Sequence, residues 1–305
     1  MTLFQVVLLA IVQGLAELLP VSSSAHVVVA EKLMGLDPST PAMTLLLVML
    51  HTGTMFAVIV YFWRQWVRTY FSSGDAFKRF LIRLLWTTAI TGIVGEALIK
   101  LIEHTLFRGA PKAQIEDLFG RLDLIAPALA AAGILILIAG LRRARSEDAT
   151  ERAPSGLTGS ITRRPSGNVT MGQAGWMGLM QGLALPFRGF SRSGVTISIG
   201  MLTGAARERA ERFSFAMAVA ITPLAIGREA LRLLHAKRDA AATGMPIDLH
   251  ATAMMSLLGM VCAFLAGLVG LKWLSNWLEN GRWYLFGIYC LAASAVVFWL
   301  HTRGY

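Results

Sequence analysis

The chain has 305 residues, of which 55% are hydrophobic and 15% charged, and its formal net charge is +10 at pH 7. Soluble domains carry roughly 25% charged residues, so this composition, with a mean hydropathy of +0.59, excludes a soluble protein and indicates an integral membrane protein. The positive charge lies mostly between apolar runs, which favours contact with membrane lipids over binding of nucleic acid.

The first apolar stretch, 3–36, is interrupted by a polar cluster and predicts a re-entrant helix–loop–helix segment. Gln13 and Glu17 are four residues apart, so they share a helix face. Pro20 ends that helix, and the next helix begins with N-cap candidates at Ser22, Ser23 and Ser24. Broken helices occur at membrane depth only where they are buried in protein or line a cavity.

The polar cluster of this stretch combines a carboxylate, hydroxyl groups and the imidazole of His26. Ionisable groups at membrane depth are functional by default, and a helix N-terminus beside them suits an anion. The chemistry indicated is attack on phosphorus by a serine hydroxyl or a water, with His26 as base and Glu17 as metal ligand or second base. The alternative is structural, with serines that only cap and Glu17 in the headgroup layer.

Six apolar runs predict spanning helices, at 41–63, 81–101, 122–141, 213–233, 251–273 and 284–301. Between the third and the fourth lies the polar segment 142–170, which predicts a loop. It divides a single integral membrane domain, 1–305, into halves 1–141 and 171–305. Cys262 and Cys290 lie inside apolar runs and are interpreted as packing residues.

His51 lies near the middle of the first predicted span. Its polar side chain has two interpretations at that depth. It supports the site, or it forms a hydrogen bond to a neighbouring helix.

The second interrupted stretch, 171–204, predicts another re-entrant segment. Arg192 stands between Ser191 and Ser193, directly before an apolar helix. Hydroxyl groups, backbone N–H groups and a guanidinium together predict a cradle for a phosphate, which arginine can bind in a bidentate manner. The alternative is a loop whose arginines contact lipid headgroups.

The two interrupted stretches form an internal repeat. Gln13-Gly14-Leu15-Ala16 opens the first loop and Gln181-Gly182-Leu183-Ala184 opens the second, and each is followed by a proline and a serine cluster. Three spans separate the loops, so they enter from opposite faces and meet near the midplane, as in inverted-topology repeats. We therefore predict an all-α polytopic fold with six transmembrane helices and two re-entrant segments. The side richer in Lys and Arg is assigned to the cytoplasm.

These loops resemble the bacitracin-resistance type of undecaprenyl-diphosphate phosphatase. That family carries E-G-x-x-E-x-x-P-x-S-S-x-x-H near the N-terminus and P-G-x-S-R-S-x-x-T in its second half. Residues 13–26 match the first motif, and residues 189–196 match most of the second.

The resemblance implies hydrolysis of undecaprenyl diphosphate to undecaprenyl phosphate and inorganic phosphate, which recycles the lipid carrier of cell-wall synthesis and confers bacitracin resistance. It implies a multi-pass protein of the bacterial inner membrane, a site open to the periplasm and a divalent cation, Mg²⁺ or Ca²⁺. The implied catalytic residues are Glu17, Ser23 as nucleophile, His26 as base, and Arg192. The implied diphosphate-binding residues are Ser22, Ser191, Ser193 and Thr196.

Two departures from the family motifs are visible. Gln13 stands where the family has its first acidic residue, so the implied metal site consists of Glu17 and the amide oxygen of Gln13. Pro186-Phe187-Arg188-Gly189 replaces the Pro-Gly step. Because the two changes occur together, we predict that Arg188 binds the diphosphate and partly replaces metal charge.

Two other functions are weighed against the phosphatase. A transporter such as a flippase for the same lipid would use the same inverted-repeat scaffold. A protein that sequesters the lipid without turnover would also confer bacitracin tolerance. The oligomeric state is left open between a monomer and a homodimer.

Overall fold

The structure, a computed structural model, describes residues 1–38, 40–106, 118–151, 168–242, 249–278 and 282–305, and these contain ten α-helices and no strand. In chain order the helices are α1 (Leu3–Ala16), α2 (Ser23–Leu33), α3 (Pro41–Tyr70), α4 (Gly74–Leu106), α5 (Leu122–Glu151), α6 (Met171–Ala184), α7 (Arg192–Leu202), α8 (Arg207–Ala242), α9 (Leu249–Leu278) and α10 (Tyr284–Thr302).

Six of the helices are long and apolar enough to cross a membrane, which confirms the six predicted spans. The candidate spans are Ala42–Tyr70, Gly74–Thr105, Leu122–Ala144, Arg207–Arg228, His250–Lys272 and Tyr284–Thr302. Several helices extend beyond the apolar runs, because a backbone that satisfies its own hydrogen bonds continues through polar residues at the membrane surface. The protein is therefore a multi-pass membrane protein.

The prediction of a loop over 142–170 is wrong at its beginning. Helix α5 continues to Glu151, because the alanine, arginine and glutamate residues in 142–151 have good helix propensity although they are polar. Residues 152–167, in the middle of the predicted loop, lie outside the described residues.

The two interrupted stretches fold alike. Helices α1 and α6 both have 14 residues and both begin with a capping box, formed by Thr2 with Gln5 and by Thr170 with Gln173. Helices α2 and α7 both have 11 residues. Each stretch is therefore a longer and a shorter helix joined by a tight connection.

The repeated glycines let these helices approach a neighbour closely. A Cβ atom added at Gly14 of α1 would lie 2.5 Å from the Ala266 side chain of α9, and one at Gly182 of α6 would lie 2.8 Å from Val94 of α4. Helix α1 accordingly packs on α9, and α6 packs on α4. Small residues at helix contacts of this kind are typical of membrane proteins.

The largest core cluster lies between the two halves and includes Ile125 and Leu129 of α5, Phe213 and Met217 of α8, and Cys290 of α10. Helix α5 packs on α10, and α3 packs on both α8 and α9. Both cysteines are free, as predicted, and Cys290 is fully buried. This arrangement fixes the ends of α1, α2, α6 and α7 against one another.

Candidate active site

A polar cavity of about 210 Å³ lies where the two interrupted stretches meet. Its wall consists of residues from four regions. The first stretch supplies Glu17, Ser22, Ser23 and Ser24. The second supplies residues 184–193 in large part, including Arg188, Ser191, Arg192 and Ser193. Helix α3 and the segment before α5 supply Thr44, Leu47, Val48, His51 and Phe119.

Glu17 is the centre of this cavity. Its side chain is 7% exposed, and its Oε1 accepts a hydrogen bond of 2.7 Å from Nη2 of Arg192, 175 residues later in the chain. Its Oε2 accepts hydrogen bonds from the Ser23 hydroxyl and, at 2.8 Å, from Nε2 of Gln13. One buried carboxylate therefore joins both motifs, and its charge is balanced by the Arg192 guanidinium.

Ser23 is the first residue of α2 and lies directly beside Glu17. The preceding residue, Ser22, has the left-handed φ of 64°, which turns the chain sharply after Pro20. Ser22 occupies the N-cap position, but its side chain makes no capping hydrogen bond, so that predicted role is wrong. The Ala25 N–H donates to the Ser22 carbonyl oxygen at 3.2 Å, so the N–H groups of Ser23 and Ser24 are the ones that the first turn of α2 leaves for another acceptor.

The structure does not bring His26 to the Ser23 hydroxyl. Nδ1 of His26 is 2.8 Å from the Ser22 carbonyl oxygen, and Nε2 is 2.7 Å from the Tyr289 hydroxyl of α10. The His26 and Tyr289 rings are stacked at 5.7 Å along an apolar groove of about 320 Å³ between α2, α5 and α10. Glu17, and not His26, is the basic group in contact with Ser23.

His51 is the site residue to which sequence reasoning gave too little weight. Its Nδ1 lies 2.9 Å from Oε2 of Glu17 and 2.7 Å from Nε2 of Gln13, and its ring lines the cavity. A histidine in the middle of an apolar span was the available signal. His51 therefore lines the cavity and also contacts Gln13 of the neighbouring helix α1. The structure agrees with both interpretations of this residue.

The second motif places its residues in two environments. Ser191 caps α7 by accepting from the Gly194 N–H at 3.3 Å, and Ser191, Arg192 and Ser193 line the cavity. Thr196 is fully buried, does not line the cavity, and is 2.6 Å from the Ser214 hydroxyl of α8. Thr196 therefore joins α7 to α8 in this structure.

Arg188 lies in the connection between α6 and α7, and its side chain lines the cavity. The guanidinium stands over the Phe119 ring, 4.1 Å from the ring centroid. Cation–π contacts of this kind orient a guanidinium while leaving its N–H groups at the edge. Arg188 from this connection and Arg192 at the start of α7 thus reach the same cavity.

Among the described residues no group of three His, Cys, Asp or Glu side chains could hold a metal ion. The oxygen donors fit a hard cation nevertheless. Glu17 offers a carboxylate, and the neighbouring Oε1 of Gln13 is buried without a hydrogen-bond partner among the described residues. Mg²⁺ is commonly held by one or two carboxylates together with substrate phosphates, and this donor set matches that pattern and not a zinc site.

A second buried carboxyl, that of Glu31, lies on α2, outside the six candidate spans. It is 1% exposed. Burial raises the pKa of Glu31 to about 7, while the Arg188 guanidinium opposes this rise and Asp37 adds to it. No pattern in the sequence distinguishes this residue, because Glu31 stands beside Lys32 and resembles an ordinary surface glutamate.

The fold and the cavity together define a polytopic membrane protein in which two similar helix pairs, α1–α2 and α6–α7, contribute charged and hydroxyl side chains to one cavity. The chain belongs to the family of bacitracin resistance protein BacA, whose family model matches residues 6–296.

Curated relatives align over nearly their whole length. The chain is 53% identical to "Undecaprenyl-diphosphatase 2" of Acinetobacter baylyi, over 97% of both chains. It is 31% identical to "Undecaprenyl-diphosphatase" of Desulfosudis oleivorans over 98% of both chains. It is 32% identical to "Undecaprenyl-diphosphatase" of Moorella thermoacetica, over 98% of this chain and 99% of the relative.

Proposed function

We propose that the protein is a membrane phosphatase that hydrolyses undecaprenyl diphosphate to undecaprenyl phosphate and inorganic phosphate. The observation that carries this proposal is the hydrogen bond from Ser23 to Glu17 in a cavity that also contains Arg192 and Arg188. A hydroxyl, a base and two guanidinium groups are what attack on a phosphoric anhydride requires. The names of the relatives support this reading.

In the proposed reaction Glu17 accepts the proton of Ser23 while Oγ attacks the terminal phosphorus. The bond between that phosphorus and the bridging oxygen breaks, and the electron pair leaves with undecaprenyl phosphate. Water then hydrolyses the phosphoserine, releases inorganic phosphate and restores the hydroxyl.

Arg192 stabilises the charge that develops on the phosphoryl oxygens. It uses Nη2 for Glu17, which leaves other N–H groups of its fork for phosphate. Ser23 and Ser24, the first residues of α2, line the same cavity, and a helix N-terminus favours an anion beside it.

A divalent cation, Mg²⁺ or Ca²⁺, is part of the proposal. Glu17 and Oε1 of Gln13 would hold it, and when bound it would neutralise charge on the diphosphate. Gln13 contributes an oxygen without a charge, so this chain supplies less negative charge to a cation than two carboxylates would.

We further propose that the two interrupted stretches are re-entrant segments of an inverted-topology repeat. The equal lengths and matching caps of their helices, and the reciprocal packing of α1 on α9 and α6 on α4, support this architecture. The protein is placed in the bacterial inner membrane with its cavity open to the periplasm. A homodimer remains a prediction, which the mass of the detergent-solubilised protein tests.

The decisive experiment measures phosphate release from farnesyl or undecaprenyl diphosphate by the purified protein. Ser23→Ala and Glu17→Gln should each lower kcat, by about 10³-fold for the nucleophile and about 10²- to 10⁴-fold for the base. Ser294→Ala is the matched control, because its buried hydroxyl binds the Ala126 carbonyl away from the cavity, and it should retain full activity.

Folded wild-type protein that releases no phosphate with Mg²⁺, Ca²⁺ or Mn²⁺ would refute the proposal. If Ser23→Ala retains the wild-type kcat, Ser23 is not the nucleophile and a water molecule takes that role. The transport alternative has no support in the names of these relatives, each of which denotes a diphosphatase.

A further inference from the structure

His26 and Tyr289 form a pair of polar side chains that the proposed reaction does not use. Nε2 of His26 lies 2.7 Å from the Tyr289 hydroxyl, and the two rings are stacked with an angle of 9° between their planes. Neither residue lines the polar cavity. The pair joins α2 to α10 across 263 residues of the chain, so it is a specific tertiary contact and not a feature of one helix.

The other ring nitrogen of His26 contacts the backbone of Ser22. Nδ1 lies 2.8 Å from the Ser22 carbonyl oxygen, which can only accept a hydrogen bond, so Nδ1 carries the hydrogen. In the neutral ring Nε2 is then an acceptor, and the Tyr289 hydroxyl donates to it. The hydrogen bonds therefore run in one direction, from Tyr289 through His26 to the Ser22 carbonyl oxygen.

Ser22 is the residue in this series of contacts that requires support. Its φ of 64° makes it the one non-glycine residue with a positive φ among the described residues, and this conformation is unfavourable for an L-amino acid. Its side chain makes no capping hydrogen bond to α2. Strained residues persist where surrounding contacts hold them, and His26 supplies such a contact at the Ser22 carbonyl oxygen.

We propose that His26 and Tyr289 are positioning residues that hold the left-handed turn at Ser22. This turn keeps the Ser23 hydroxyl against the Glu17 carboxylate. The inference rests on the proposed function, because it takes Ser23 as the attacking group. The His26 ring stays neutral and exchanges no proton with the substrate. Tyr289 acts through His26, since its hydroxyl determines which nitrogen of the ring carries the hydrogen.

The first test is ¹⁵N NMR at pH 8 of protein that carries ¹⁵N-labelled histidine, which requires no substrate. The variant His26→Asn identifies the His26 signals by their absence. We expect the wild-type ring to carry its hydrogen on Nδ1, because the partner of each ring nitrogen sets the tautomer. A hydrogen on Nε2 alone, or a doubly protonated ring, overturns the inference whatever the enzymatic activity.

The second test measures phosphate release from farnesyl diphosphate. Tyr289→Phe keeps the ring and removes the hydroxyl, so it should lower kcat about 3- to 10-fold with KM unchanged, the loss expected for one hydrogen bond. Tyr284→Phe is the matched control and should retain full activity, since Tyr284 begins the same helix and lines neither the cavity nor the apolar groove. A raised KM at unchanged kcat overturns the inference, because Tyr289 would then bind the substrate.

Two changes at His26 separate positioning from proton transfer. His26→Asn keeps an N–H group close to the place of Nδ1, so its kcat should stay within about tenfold of wild type. His26→Ala removes this donor and should lower kcat about 10²-fold, as small displacements of reacting groups do. A general base would be lost in both variants, at a cost of about 10²- to 10⁴-fold. Equal losses in the two variants therefore overturn the inference.

The effect of Tyr289→Phe should disappear in the His26→Asn background, because the shorter side chain no longer reaches the hydroxyl and coupled residues are non-additive. An equal loss in both backgrounds overturns the inference. If thermal unfolding shows that His26→Ala does not fold, a loss of about 10²-fold or more in folded His26→Asn overturns it instead. If wild type releases no phosphate while His26 carries its hydrogen on Nδ1, the phosphatase is refuted and the hold on Ser22 stands.

Discussion

At the scale of single residues, the geometry of the cavity depends on the side chains that share the Glu17 carboxylate. Arg192 takes one oxygen, while Ser23, Gln13 and His51 meet at the other. Such crowding orients the carboxylate towards the hydroxyl that it is proposed to deprotonate. It also makes Gln13 the position at which an added charge would act most directly on a bound cation.

Gln13→Glu should increase the apparent affinity for Mg²⁺ in the phosphate-release assay by about tenfold, because affinity for hard cations rises with the number of ligand charges. The measurement is the Mg²⁺ concentration that gives half-maximal activity. Gln5→Glu is the control, since a glutamate also serves the capping box of α1. An unchanged Mg²⁺ requirement in Gln13→Glu would show that residue 13 does not hold the cation.

Glu31 makes stability depend on pH in a defined direction. Its pKa is raised from 4.5 to about 7, so the folded state favours the protonated form. The contribution of Glu31 to the free energy of unfolding is fully present below pH 4.5 and is lost as the pH rises to about 7. Glu31→Gln should therefore gain roughly 2–3 kcal/mol over wild type between pH 5 and pH 8.

Thermal unfolding in detergent at pH 5, 6, 7 and 8 checks this dependence. The melting temperatures of wild type and Glu31→Gln should diverge as pH rises. Those of wild type and the control Glu96→Gln should run parallel, because Glu96 is an exposed carboxylate that pairs with Lys100 at 3.4 Å. Parallel curves for Glu31→Gln would mean that the carboxyl is not buried in the folded protein.

The sequence predicted which segments form the site but not every contact within it. Glu17, Ser23 and Arg192 stood out because polar groups in apolar stretches are conspicuous. His26 lies three residues after Ser23 on the same helix, yet a tyrosine 263 residues later holds its ring elsewhere. His51 joins the site through packing of α3 beside α1. The residues near His26 and His51 in the sequence do not indicate which distant side chains will contact them.

At the scale of helices, the spans were predictable because apolar runs of bilayer length have few alternatives. The helix ends were less predictable, as α5 shows, since a polar sequence with good helix propensity continues a helix beyond the apolar run. The connection between α6 and α7 is a different case. Its geometry depends on Gly189, whose φ is +100° and whose added Cβ would lie 2.5 Å from the Ile125 carbonyl oxygen.

Gly189→Ala should destabilise the protein by about 2–4 kcal/mol, because an L side chain is strained at this φ and the carbonyl of α5 leaves no room. It should also lower phosphate release, since Gly189 lies between Arg188 and Arg192 in the sequence and both arginines line the cavity. Gly92→Ala is the control. Nothing lies within 4 Å of an added Cβ there, so this helical position should become slightly more stable. Equal melting temperatures for wild type and Gly189→Ala would contradict the close contact with α5.

At the scale of the whole molecule, the proposed repeat predicts a specific membrane topology. If both interrupted stretches are re-entrant, three spans separate Thr2 before α1 from Thr170 before α6, and these positions lie on opposite faces of the membrane. If each stretch instead crosses the membrane, four crossings separate them and they lie on the same face. Tyr305 lies on the face of Thr2 under both topologies, which makes it an internal reference.

Single cysteines at Thr2, Thr170 and Tyr305, labelled in intact spheroplasts with a membrane-impermeant thiol reagent, decide between these topologies. In the re-entrant architecture Thr2 lies on the same face as the start of α3, where Thr44 lines the cavity. With that face in the periplasm we predict labelling at 2 and 305, and labelling at 170 only after the membrane is permeabilised. Wild type is the control for Cys262 and Cys290, which lie within α9 and α10. Labelling at 2 and 170 from the same side would rule out the inverted repeat. Labelling at 170 alone would keep the repeat and reverse its orientation, placing the mouth of the phosphatase cavity in the cytoplasm.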